Sequence, residues 1–186
     1  MMAKLDLDKY GLSYLKDKNP LNWTDSDMDK LIDAFAKENI APYLLMPPTQ
    51  RNVEILLSQS YCRRCGKCCL SNPDDPGAMV SEDELRKIAA HSKYTYKYLK
   101  RHSTKHKHPE RNDLRYLPLP CIFYKQGKCT IYKWRPFICK IYPTSNALRS
   151  GKVCITVSLR CDYGKEIYKS VLKYQKENMI SQLFDI

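Results

Sequence analysis

Cys62-Arg63-Arg64-Cys65-Gly66-Lys67-Cys68-Cys69 is the densest chemistry in this chain. Two successive C-x-x-C steps share Cys65, and a further cysteine follows directly. A C-x-x-C turn aims two sulfurs at one centre while nearby N–H groups bond them. Gly66 supplies the backbone freedom such a turn needs. Three cysteines at two-residue gaps match one arm of an iron–sulfur ligand run whose fourth ligand comes from elsewhere. Zinc ribbons and fingers use two separated pairs instead, and no such pairs stand out here. The spacing therefore favours an iron–sulfur cluster, with zinc as the alternative.

Working outward, the second group is Cys121, Cys129 and Cys139. Leu119 to Tyr124 and Cys129 to Tyr132 read as two short strands, with Gln126-Gly127 at the turn of a hairpin. Cys139 lies three residues after Pro136, in the first turn of an expected helix. There the helix dipole is expected to lower the thiol pKa. Arg63, Arg64, Lys67, Lys128, Arg135 and Lys140 flank these positions and offset thiolate charge. Cys62, Cys65, Cys68, Cys69, Cys121, Cys129 and Cys139 are thus the candidate metal ligands. Cys154, inside an apolar run, reads as a buried small hydrophobe. Cys161 is spaced too widely from it for a knuckle.

The order Pro120-Cys121-Ile122-Phe123, Cys129-Thr130-Ile131-Tyr132 and Arg135-Pro136-Phe137-Ile138-Cys139-Lys140-Ile141-Tyr142-Pro143, after the first cysteine run, resembles the CxxCxxCC (YkgJ-type) family. The resemblance covers roughly residues 60 to 161 and implies zinc or iron chelation on cysteine sulfur. It implies no particular reaction. The family usually carries Arg where this chain has Lys140, which keeps the charge without the planar fork.

The 186 residues suit one domain with an extension. Hydrophobic residues make up 43% of the chain, enough for a core. Charge is uneven: residues 1–50 hold six Lys/Arg against eight Asp/Glu, and residues 51–186 hold 26 against 12. The expected division is an acidic helical N-terminal extension, 1–58, and a cysteine-cluster metal-binding domain, 59–186. In the extension, Thr24 or Ser26 caps a helix bearing Met28, Leu31, Ile32 and Phe35. Thr49 to Leu57 suggests a second helix, with Val53, Leu56 and Leu57 inward. Ser81 and Glu84 form a capping box for a third, burying Leu85, Ile88 and Ala89. Val153 to Val157 reads as a strand. Asp162 to Leu183 reads as a helix with Ile167, Val171, Tyr174 and Ile180 near one face. The expected fold class is α+β: a small, mostly helical, metal-stabilised domain with a short β-hairpin and a cysteine-rich centre.

Several classes drop out. Six scattered glycines exclude the clustered glycine loops that cradle phosphates. No apolar run approaches the ~20 residues of a membrane span. Met1 to Asp8 has no apolar export segment, so the expected location is the cytoplasm, where thiols stay reduced. No serine sits in a nucleophile elbow, and whether the protein is an enzyme stays open. Residues 86–111 carry nine Lys/Arg and one acid, with Tyr94, Tyr96 and Tyr98 interleaved. Such content serves nucleic-acid binding, but no nucleic-acid fold signature accompanies it. An anionic protein partner, or the acidic N-terminal segment, ranks ahead. His102 and His106 share a helical face, yet Lys100, Arg101, Lys105 and Lys107 around them oppose a dication. The leading expectation is an iron–sulfur cluster of the 4Fe–4S type, or a related iron site, in a structural or electron-transfer role. The alternative is a zinc-binding interaction module without catalysis.

Overall fold

The computed structural model describes residues 5–38, 40–44, 48–58, 62–70, 76–105, 111–149 and 152–177. His106, Lys107, Ile180 and Leu183, singled out above, lie outside them. The chain divides into two compact units. One is discontinuous, Met1–Arg63 with Pro143–Ile186, and the other is the stretch between, Arg64–Tyr142. Elements are numbered along the chain.

The discontinuous unit pairs helices with a small sheet. Helix α1, Asp25–Lys37, starts at Thr24, whose hydroxyl accepts from Asp27 N while Asp27 accepts from Thr24 N. This is a reciprocal capping box built on Asp rather than Glu. Met28, Leu31, Ile32 and Phe35 follow the helical period and are all buried. Strand β1, Tyr43–Leu44, precedes helix α2, Gln50–Ser58, which buries Leu56. Val53 and Leu57 stay half-buried, so α2 turns a narrower face inward than its spacing suggested.

Late in the chain, β7, Thr144–Arg149, and β8, Lys152–Val157, form an antiparallel pair, and β1 adds to the other edge of β8. The central strand β8 buries Cys154, Ile155, Thr156 and Val157. Ser145 and Thr156 join their hydroxyls across the β7–β8 pair at 2.7 Å. Helix α6, Asp162–Glu177, buries Ile167, Tyr168 and Val171. Tyr174 is instead exposed, beyond the part of α6, Lys165 to Lys169, that pairs with α1. Phe35 meets Tyr168 edge-on at 6.2 Å, and Asp29 and Asp33 pair with Lys169 and Lys165. The acidic face of α1 therefore finds its counter-charge on α6, within this unit.

The inserted unit has its own small core. Strands β2, Ala78–Ser81, and β4, Leu114–Leu117, pair antiparallel, with β3, Thr104–Lys105, on the other edge of β4. Helix α3, Glu82–Ala90, opens on the expected box, Ser81 with Glu84. Helix α4, Tyr96–His102, is capped by Thr95. It forms within the basic, tyrosine-rich stretch, where charge hid the helical pattern. At its far end Arg115 donates to the carbonyls of Lys100 and Ser103, at 3.0 and 2.9 Å. Those are carbonyls a helix end leaves unsatisfied.

Val80, Leu85, Ile88, Leu99, Leu117, Phe123 and Ile131 form this core, with Cys121 and Cys129 packed against it. The hairpin is present but short: β5, Tyr124–Lys125, and β6, Lys128–Cys129. Its turn residues Gln126 and Gly127 both have positive φ, as a two-residue hairpin turn demands. Helix α5, Phe137–Ile141, follows Pro136, which caps it rather than entering it. The two units bear out a small α+β fold with a cysteine-rich part. Among the described residues, no helix is long and apolar enough to cross a membrane.

Candidate metal centre

All nine cysteines are among the described residues, and none forms a disulfide. Six belong to the inserted unit: Cys65, Cys68, Cys69, Cys121, Cys129 and Cys139. The first run turns sharply, with Arg64 at φ 54° and Gly66 at φ 77°. A side chain at Gly66 would strike the ring of Tyr124, whose hydroxyl donates to the Cys65 carbonyl at 3.3 Å. Gly66 O accepts from Cys69 N at 2.8 Å, closing a 3-10 turn over Lys67–Cys69. Cys69 O in turn accepts from Cys121 N at 2.8 Å. That backbone link brings the two cysteine groups together.

The thiols follow the backbone. Cys68 Sγ and Cys69 Sγ are 3.9 Å apart, and Cys69 also hydrogen-bonds the Cys121 thiol. A thiol carries one proton, so Cys69 donates to one neighbour at a time. This contact, ahead of all other causes, draws Cys68 and Cys121 down to about 7. Holding the shared proton between them pushes Cys69 up. The N–H groups of Phe123 and Tyr124 also favour the Cys121 thiolate, and that of Ile131 favours the Cys129 thiolate. Donors two or three residues after a cysteine are the knuckle arrangement the spacing had suggested for the first run.

Cys129 and Cys139 lie within electrostatic reach of Cys68 and Cys121. Burial pushes the Cys129 thiol up. Burial, then the neighbouring sulfurs, pushes Cys139 up to about 12. The expected lowering by the α5 dipole does not prevail. The N–H of Phe137 at the start of α5 is given to Glu84 at 2.7 Å, and Cys139 itself is removed from water. Glu84 thus serves two helices, capping α3 with one oxygen and holding α5 with the other.

Cys65 is exposed and tied in through its carbonyl. Cys62 belongs to the discontinuous unit, is exposed, and keeps its expected role on spacing alone. Cys154 and Cys161 are buried in that same unit, where the Cys161 thiol accepts from Gly164 N at 3.4 Å. Among the described residues, no three Cys, His, Asp or Glu side chains close around one point as a finished metal cage does. The thiols form an open row instead.

The donor set is nonetheless the right chemistry for a soft metal: sulfur, N–H support for thiolate, and nearby positive charge. Arg135 favours the charged forms of Cys68, Cys129 and Cys139. Its guanidinium lies over the Tyr132 ring at 3.9 Å, and that of Arg64 at 4.3 Å. Sequence reasoning noted Arg135 only as flanking charge and missed Tyr124, Tyr132 and Glu84. Two tyrosines within a cysteine motif were the available signal; the second role of Glu84 had none.

The two described histidines, His91 and His102, pack against aromatic rings. His91 stacks on Trp134 at 3.6 Å, and His102 stacks on Tyr98 at 5.5 Å. Tyr94 also stacks on Tyr98, at 4.9 Å, and Tyr96 lies under Arg86 at 4.2 Å. The ring faces a nucleobase would stack on are used by the unit's own side chains.

Comparison with known proteins bears on this site. A family model described as "CxxCxxCC: Putative zinc- or iron-chelating domain" matches residues 61–168. An uncharacterized protein of Methanocaldococcus jannaschii is 33% identical over 101 residues, covering 53% of this chain and 52% of that protein. The match therefore spans about half the length of that curated relative. No solved structure matches.

Proposed function

Because this chain belongs to the CxxCxxCC family of zinc- or iron-chelating domains, we propose that its inserted unit binds a transition metal through cysteine thiolates. Cys68, Cys69 and Cys121 are the nearest ligands. Cys129, Cys139 and Cys65 are available to complete the set. The observation that carries this reading is the Cys68–Cys69 thiol contact at 3.9 Å, together with the Cys69–Cys121 backbone bond that joins the second cysteine group to it.

The Cys68–Cys69 spacing of 3.9 Å supports a single ion. A tetrahedron with metal–sulfur bonds of ~2.3 Å has an edge of about 3.8 Å. Zinc or one iron ion fits that edge. In a cluster, sulfurs attached to different irons stand farther apart. The cluster reading keeps its own support in the C-x-x-C-x-x-C spacing of Cys62, Cys65 and Cys68. When bound, the metal supplies cross-linking between the first cysteine run and the hairpin. The chain's own residues do the rest: the Cys69–Cys121 backbone bond sets the approach, and Phe123, Tyr124 and Ile131 N–H groups stabilise the thiolates. Closing the open row couples metal binding to local folding.

Anaerobic purification, then metal and acid-labile sulfide analysis, tests the reading. Zinc or iron in stoichiometric amount without sulfide is expected. Iron with matching sulfide would favour the cluster. Protein that takes up neither metal, with its thiols reduced, defeats the proposal.

A further inference from the structure

Among the described residues, the buried side-chain nitrogen or oxygen without a hydrogen-bond partner is Arg135 Nε. A charged donor taken from water and given no acceptor is costly, and such a group calls for an explanation. Its placement is not slack. Arg135 precedes Pro136, which restricts it to extended backbone, and it adopts φ −58°, ψ 151°. The guanidinium carbon rests 3.9 Å from the Tyr132 ring centroid. Stacking engages the face of the guanidinium and leaves its N–H groups pointing outward in the plane. Its charge reaches Cys68, Cys129 and Cys139 and favours their thiolates. A protonated thiol is a weak acceptor, whereas a metal-bound thiolate is a strong one.

We propose that Arg135 is a positioning residue of the metal centre: its Nε–H donates to a cysteine sulfur once that sulfur is a metal-bound thiolate. The inference rests on the metal-binding reading above and goes beyond it by giving a role to a residue that is not a ligand. Four thiolates on a dication leave two negative charges, and one guanidinium offsets part of that excess. Tyr132 holds the guanidinium in plane, so that the N–H waits in position before metal arrives. Outer groups of this kind orient ligands and tune the metal.

Cobalt(II) is the probe, with chelator competition at fixed pH and absorption spectroscopy on the full chain. Arg135→Met is expected to weaken cobalt binding about 10–100-fold. Its ligand-field bands should keep their tetrahedral form, and its sulfur-to-cobalt charge-transfer band should move to lower energy. The band moves because a sulfur lone pair relieved of its hydrogen bond gives up an electron more easily. Arg135→Lys keeps the charge but not the fork; it should show the same band shift with a smaller loss of affinity. A merely structural arginine would not move that band in a folded, loaded variant. Parent-like affinity and band position in Arg135→Met overturn the inference while leaving the metal reading intact. If Arg135→Met does not fold, a parent-like band in Arg135→Lys overturns it equally. A parent chain that shows no sulfur-to-cobalt band defeats both readings together.

Discussion

Cys154 and Cys121 are the same side chain put to different uses in the two units. Cys154 is 4% exposed on the central strand β8, beside the fully buried Ile155. Cys121 is half-buried at the margin of a smaller core, where its backbone N–H bonds Cys69 O and the Cys69 thiol draws its own toward the thiolate. The discontinuous unit uses Cys154 and Cys161 as filler in a core that includes Trp23, Leu31, Ile155, Ile167 and Tyr168, while its Cys62 stays exposed. The inserted unit gathers six cysteines, of which Cys68 and Cys121 are drawn toward the thiolate. Burial suppresses a thiol's chemistry, and grouping with donors releases it. One unit should therefore hold its fold without metal, and the other should depend on it.

The sharpest way to break this contrast is to remove a ligand. Cys121→Ser should lose most of the bound metal, and hydrogen exchange should accelerate in residues 64–142 while the discontinuous unit keeps its protection. Uniform loosening of both units would erase the distinction. The converse substitution, Ile167→Ala, removes a fully buried side chain from α6. It should cost about 2–5 kcal/mol in the unfolding of the discontinuous unit and leave metal content unchanged.

Acid separates the two units on a pH axis. Cys68 and Cys121, drawn down to about 7, must shed protons to bind metal. Metal affinity should thus weaken as pH falls below 7, with release at lower pH where protons outcompete the bound metal, followed by absorption or by a metal-sensitive dye. In the discontinuous unit, Asp27 is held well below the usual carboxylate range by Lys18, then Tyr14 and Thr24. A lowered carboxylate contributes stability that is present above its unfolded value, near ~4, and is lost only as pH falls below it. Asp27→Asn should cost roughly 1–2 kcal/mol at neutral pH and flatten the acid dependence of that unit. The smallest effect belongs to Cys154→Ala, about 1 kcal/mol, with no change in metal stoichiometry. A fall in metal content there would show that the filler reading of Cys154 is mistaken.

Much of this contrast was legible in the residues, though unevenly. Thr24 and Ser81 announced their helices because a cap and an apolar period coincide there. Helix α4 was hidden because Lys97, Lys100 and Arg101 interrupt the pattern that Leu99 begins. Strands β2 and β4 were missed because four residues show too little alternation and their pairing is non-local. The cysteine motif named the candidate ligands, but spacing cannot say which thiols touch. That depends on the Cys69–Cys121 backbone bond between distant segments. The Cys139 thiol went the other way from expectation because desolvation, a tertiary effect, outweighed a local dipole.

The chain order of the units carries a consequence for synthesis. Tyr43 of β1 pairs with Thr156 of β8, and the whole inserted unit is translated between them. The first strand emerges from the ribosome long before its partner exists. Bringing such distant segments together costs entropy that grows with the length of floppy chain between them. If residues 64–142 have already condensed, the segment to be closed is short; if they have not, it is long. If the inserted unit binds metal as proposed, adding metal during refolding should also speed the closing of β1 onto β8 in the other unit.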